Sequence, residues 1–253
     1  MPRRTIRVAP GLAEQVYQAL LDEICDGALL PGTHLVQEQL AERLGVSRQP
    51  VQQAMALLKA DGMVEEVGRR GLRVAPLDLN LMRHHYEIRA ALDGLAARSA
   101  ARRAKANSAV AQAIDERGRV ILAAGEAAVA AGATHEQIRQ DEDLHILIYE
   151  ASGNPLLSPT AESHWRFLRR VMGEVLRHGE PPPTIWQQHA EILNAVVAGN
   201  AQLAEQRSVD HLLMAAETLA VSFGNNGDAL QGVAGVPAQR DRLQPGAGMT
   251  TRG

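Results

Sequence analysis

Apolar residues at Val16, Leu20 and Ile24 recur every four positions, with Leu12 on the same side, and predict an amphipathic helix over about 12–25. Gly27 and Pro31 in DGALLPG (26–32) end it. A short helix follows over 37–44, broken at Gly45, and a third over about 48–61, with Ser47 placed to cap it and Gly62 to stop it. The period then changes. MVEEV (63–67) and GLRVA (71–75) are short β-rich runs around GRRG (68–71), and read as a two-stranded hairpin. From Asp78 onward the apolar spacing is helical throughout, giving expected helices at about 79–104, 108–131, 134–151, 155–178, 184–199 and 201–223. Breakers separate them: Asn107-Ser108, Gly132, Ser152-Gly-Asn-Pro155, Gly179 with Pro181-Pro-Pro183, and Gly199-Asn200.

The expected fold is mainly α: an N-terminal winged helix-turn-helix over 11–76, then a six-helix antiparallel bundle over 77–223. Residues 1–10 carry Arg3, Arg4 and Arg7 and read as a flexible basic arm, and the Gly-rich stretch 224–253 reads as a disordered tail.

Composition narrows the function classes. Aromatics are only 3% of 253 residues, which suits packed helices better than a β-sandwich. The formal net charge of −3 means that any nucleic-acid site must be a local basic patch. Cys25 is the one cysteine, so an intramolecular disulfide and a cysteine-rich zinc finger are excluded, and a reducing cytoplasm is expected. No apolar run approaches membrane-spanning length, and MPRRTIRVAPG lacks the apolar stretch of a signal peptide.

The helix-turn-helix carries the strongest local signal. Leu40, Ala41 and Leu44 form an inner face, Gly45 permits the turn, and Val51, Met55 and Leu58 point inward. That leaves Ser47, Arg48, Gln49 and Gln52 at the exposed N-terminal end of the second helix, where a reading helix meets base edges. Arginine suits guanine and glutamine suits adenine, while Arg69 and Arg70 at the hairpin tip suit phosphates or the minor groove. The same features taken singly fit a protein-interaction module with solvated charges. Taken together, LLPGTHL (29–35), LAERLGVSRQPVQQAM (40–55) and LKADGMVEEVGRRGLRV (58–74) resemble the GntR family of bacterial regulators. The family commonly has Arg-Glu where this chain has Gln52-Gln53, and often an arginine at Glu38, so the operator is expected to differ or the affinity to be lower.

A second signal lies in the bundle. Asp141 and His145, four apart, share one helix face, and His189 and His211 lie on the last two helices, whose short connection implies a hairpin that can turn both inward. One carboxylate and three imidazoles suit a divalent ion, with zinc heading nickel, manganese and iron. Each histidine alone reads more readily as a core or surface residue than as a ligand. His84, His85, His135, His164 and His178 have less support as ligands.

The helical half resembles the FCD effector domain of the FadR branch of GntR regulators. Asp141, His145, Ser152-Gly-Asn-Pro155, His189 and His211 match its pattern one by one, and YEIRAALDGLAARSAA (86–101) matches its opening helix, with Asp93 where glutamate is usual. The resemblance implies a metal-holding domain that senses a small carboxylate effector, in a homodimer bound to a near-palindromic double-stranded DNA operator, with repression relieved by effector as the common behaviour. Arg89 is the expected carboxylate partner, or else it pairs within its helix with Asp93. Asn154 is an effector candidate or a turn residue before Pro155, and Arg166, Arg169 and Arg170 are further candidates. A rival reading is a metal-dependent hydrolase or lyase using the Asp/His site; a third makes the bundle a dimerisation device with incidental histidines.

Overall fold

The computed structural model describes residues 11–68, 71–178 and 184–231. The basic arm at 1–10, the wing arginines Arg69 and Arg70, and the last part of the expected tail (232–253) lie outside the described residues.

The chain runs α1 (Leu12–Cys25), α2 (Gln37–Leu44), α3 (Arg48–Ala60), β1 (Val64–Val67) and β2 (Gly71–Val74). Then come α4 (Leu79–Ala106), α5 (Ser108–Ala130), α6 (Thr134–Ser152), α7 (Leu157–His178), α8 (Ile185–Val197) and α9 (Ala201–Gln231). The apolar stripes do what their spacing predicts. α1 buries Val16, Tyr17, Leu20, Leu21 and Ile24, and α3 buries Val51, Ala54, Met55 and Leu58. Gly45, at φ 65°, closes α2 in the left-handed conformation that only glycine adopts without strain. β1 and β2 pair antiparallel, with Val64 opposite Val74 and Val67 opposite Gly71, and Leu35 donates its N–H to Leu72 across the hairpin base.

Two local expectations change. Ser47 sits at the α3 N-cap with extended backbone, yet its hydroxyl accepts no capping hydrogen bond. Pro50, at the third helical position, has no N–H to donate, so half of the cap's usual targets are missing. The last helix also does not stop at Phe223 but runs on to Gln231. A helix already propagating passes through Gly224-Asn-Asn-Gly227 without renucleating, and Asp228-Ala-Leu-Gln231 again favours helix. The disorder expected from 224 onward is therefore corrected for 224–231.

Six helices, α4–α9, form the C-terminal unit. Asp78 caps α4 by accepting from the N–H groups of Asn80 and Leu81, and Asn107 caps α5 through Ala109 and Val110. Small residues let the helices close in. A Cβ on Gly94 would sit 2.9 Å from Val209 of α9, and one on Gly125 would sit 2.0 Å from the Trp186 ring of α8.

The two units share a core. Met82 and Tyr86 of α4 and Phe167, Leu168 and Val171 of α7 belong to the same buried cluster as Val16, Tyr17 and Leu20 of α1. Polar contacts add to it. Asp61, at the C-terminal end of α3, accepts from Tyr17 Oη at 2.6 Å and lies 3.3 Å from Arg166 Nε of α7, while Arg170 donates to the Ala75 carbonyl behind the wing.

Candidate metal and effector centre

α6 places Asp141 and His145 one turn apart, and α8 and α9 bring His189 and His211 against them. One ligand atom from each of the four lies within 4.8 Å of all the others. His189 Nε2 is 3.1 Å from both His211 Nε2 and Asp141 Oδ1. The three histidines are at most 3% exposed.

The surroundings orient the rings. His145 Nδ1 lies against Asp93, and His211 Nδ1 is 2.9 Å from Gln188 Oε1. Acceptors at those positions hold the ring protons on Nδ1 and leave the other nitrogens as lone-pair donors. Lone pairs from His145, His211 and Asp141 thus converge around His189, which has at most one proton to offer there. That arrangement is unfavourable by itself and is relieved by a cation, so the residues fit a divalent ion. Electrostatics agree. Burial opposes ionisation of Asp141, but the His189 hydrogen bond and the neighbouring imidazoles outweigh it and hold its carboxyl well below the usual range. Burial, together with His189 and His145 nearby, pushes the His211 imidazolium well below its ordinary pKa, so the ring is neutral and keeps a lone pair.

Asp93 is the hub behind the ligands. It accepts from Tyr149 Oη at 2.6 Å, from Arg89 Nη2 at 3.2 Å and from His145. Burial opposes its ionisation too, but Arg89 and His145 hold its carboxyl well below normal. Arg89 is 2% exposed, lies 3.6 Å above the Trp165 ring, and its Nε has no hydrogen-bond partner among the described residues. Arg89 thus pairs with Asp93, as one of the two expectations had it, and it also lines a cavity.

That cavity, of about 100 Å³, opens over the cluster. Arg89, Asp141, His145 and His211 form its charged and metal-facing floor, and Tyr86, Gln137, Thr184, Gln188, Thr218 and Ser222 add polar groups; Ile138, Met172, Val175, Leu176, Trp186 and Leu219 are among its apolar walls. Asn154 is elsewhere. It is exposed, its carbonyl oxygen accepts from the Leu156 N–H at 3.1 Å, and it does not line the cavity, so its expected effector role gives way to a turn role. Arg166 and Arg170 turn towards the N-terminal unit, and Arg169 pairs with Glu142 at 3.5 Å. Tyr149, Trp165 and Gln188 were missed by sequence reasoning, and Asp93 was read only as a helix partner of Arg89. Only Asp93 had a signal, its four-residue step from Arg89.

At the other end of the molecule, Ser47, Arg48, Gln49 and Gln52 are exposed together along the start of α3. Glu38 of α2 approaches Arg48 at 3.6 Å, a pair about 70% exposed on each side.

Two family models cover the chain. "Bacterial regulatory proteins, gntR family" matches residues 12–74, and "FCD domain" matches residues 84–213. The chain belongs to the gntR-family regulators with an FCD domain. Among relatives, the HTH-type transcriptional repressor RspR of Escherichia coli (strain K12) is 25% identical over 85% of this chain and 92% of its own length. The HTH-type transcriptional regulator YdhC of Bacillus subtilis (strain 168) is 28% identical over 78% and 86%. In fold, E. coli McbR/YncC superposes with a TM-score of 0.68 at 20% identity, covering 85% of this chain and 98% of that one. A transcriptional regulator from Rhodococcus sp. RHA1 gives 0.67 at 20% identity, covering 83% and 97%. This gntR-family member is accordingly a DNA-binding transcriptional regulator and not an enzyme, which sets aside the hydrolase or lyase reading. No helix among the described residues is long and apolar enough to cross a membrane.

Proposed function

We propose that this regulator is a homodimeric repressor whose operator affinity falls when a small carboxylate enters the metal-floored cavity of its FCD domain. One observation carries the reading: three buried histidines and a carboxylate converge beneath a cavity that Arg89 also lines. Asp141, His145, His189 and His211 would hold the ion, zinc before nickel, manganese or iron. When bound, such an ion supplies open coordination positions for a carboxylate oxygen. Arg89 offers the second anchor, since a guanidinium suits a carboxylate and this one keeps an unpartnered Nε. The name of RspR supports the repressor sign.

α7 is the element that touches both functions. Met172, Val175 and Leu176 wall the cavity, Trp165 lies under Arg89, and Arg166 grips Asp61 at the end of the reading helix. An effector that shifts α7 would change how α3 is presented to a half-site, and by linkage the operator would change effector affinity by the same factor. Ser47, Arg48, Gln49 and Gln52 read bases, with Arg69 and Arg70 on the wing. The test is operator binding by zinc-loaded protein, with and without carboxylate, in wild type, His189→Ala and Arg166→Ala. The expected pattern is loss of zinc and of response in His189→Ala, and effector binding without operator response in Arg166→Ala. Wild-type zinc content and wild-type response in His189→Ala would overturn it.

A further inference from the structure

The charges and walls of the cavity select among carboxylates. We propose that the effector is a monocarboxylate with a compact apolar body of about four or five carbons, not a dicarboxylate or a sugar acid. The inference rests on the metal-and-carboxylate reading above and adds the ligand's class.

Charge comes first. Among the described residues, the cavity lining holds two fully charged side chains, Arg89 and Asp141. Asp93, buried behind the lining, balances Arg89 at 3.2 Å. His145, His189 and His211 add no charge of their own, because a histidine that faces an ion does so as the neutral ring. With a divalent ion on the four ligands, Asp141 cancels one of its charges and a single positive charge is left over. One carboxylate brings the buried total to zero. A second carboxylate would carry an uncompensated negative charge into a site whose other described walls hold no cation, an arrangement that proteins avoid because desolvating an unpaired ion is costly.

The walls argue next. Beyond the polar floor the body of a ligand would meet Ile138, Met172, Val175, Leu176, Trp186 and Leu219. Tyr86, Thr184 and Ser222 present hydroxyls there, but the other polar side chains on the wall already have partners. Gln137 donates to the Ala128 carbonyl, Gln188 binds His211 and Met214, and the Thr218 hydroxyl donates to the Met214 carbonyl. A polyhydroxylated body would lose its water for few replacements. Size closes the argument. A dry apolar cavity of about 150 Å³ takes benzene, so about 100 Å³ admits no apolar body larger than that ring.

A five-carbon series at constant length separates these properties: valerate, glutarate and ribonate, titrated calorimetrically into the zinc-loaded full chain whose metal content is measured first. Valerate is expected to bind at least about tenfold more tightly than either of the others, a free-energy gap consistent with one uncompensated or unsatisfied group. In Thr218→Lys, at a half-exposed cavity position, glutarate should gain on valerate by about tenfold, because the new ammonium can meet the second carboxylate. Zinc retained with glutarate or ribonate binding as tightly as valerate would overturn the ligand class while leaving the metal-and-carboxylate reading standing. Zinc absent, or no heat with any of the three, would overturn that reading and this inference together.

Discussion

Asp93→Asn tests whether the buried hub is held by charge. The carboxylate receives Arg89 Nη2 at 3.2 Å, Tyr149 Oη at 2.6 Å and His145 Nδ1, and both it and Arg89 are 2% exposed. Asparagine keeps the shape but removes the negative charge, and it turns one acceptor into a donor facing a donor. Arg89 cannot neutralise itself, because a guanidinium stays protonated in proteins even when buried. Breaking one side of a buried pair costs about 3–5 kcal/mol; with one acceptor kept, the expected loss is about 3 kcal/mol. For a chain of this size that lowers the melting temperature by about 6–12 °C. Separately, His145 loses the carboxylate that orients and enriches it, which should weaken metal binding about 10–100-fold. Urea unfolding in chelator reads the first effect, and zinc competition against a chromophoric chelator reads the second. Asp93→Glu, which keeps the charge, should recover most of both. A metal-free Asp93→Asn protein within about 1 kcal/mol of wild type, with unchanged zinc affinity, would refute the reasoning.

Three further outcomes follow from the same contacts. Burial first, then His164 and His84, lower His85 to about 4 from 6.5, so between those values the unfolded chain binds a proton that the folded one does not. Stability must then fall as pH drops through that window, by about 1 kcal/mol after discounting for the ring's partial exposure, and His85→Gln should flatten that part of a urea-midpoint profile. Glu38→Gln frees Arg48 from its partner at 3.6 Å; operator binding should tighten, and the log–log salt slope should steepen by about one unit if Arg48 then reaches a phosphate. Gly125→Ala drives a Cβ to within 2.0 Å of Trp186, so a loss of about 1–3 kcal/mol in thermal unfolding and weaker effector binding are expected, while wild-type values for both would show the α5–α8 contact to be loose.

The element order was legible because each helix carries both its stripe and its stop: Gly45, Gly62, Asn107 and Gly153 all stand where the chain turns. That Asp141, His145, His189 and His211 meet in one interior was legible because of four-residue spacing and one short hairpin. What was not legible depended on distance and burial. Arg89 and Asp93 looked like a helix-surface pair worth tenths of a kcal/mol. Their helix is so rich in alanine that its apolar stripe does not reveal that both are buried, and the decisive partners, His145 and Tyr149, come from a helix some fifty residues away. Asn154 was misjudged because position in the Ser-Gly-Asn-Pro turn says nothing about which way the turn faces. Ser47 failed as a cap because of Pro50, a residue plainly visible in the sequence.

α4 is capped by Asp78, only three residues after Ala75, and continues without a break past Arg89 and Asp93. At 1.5 Å per residue, Asp78 stands about 17 Å along the axis from Arg89. A rigid rod of that length is a mechanical amplifier: a tilt of about 5° at the sensing end swings the wing by about 1.5 Å. In a dimer both arms swing at once, in opposite senses, so the mismatch with two fixed half-sites doubles. On the proposed function such a rod needs no disordered hinge to carry a response, and a glycine or proline inserted between Asp78 and Arg89 would break it at the cost of turning Met82 and Tyr86 out of the core that the two units share.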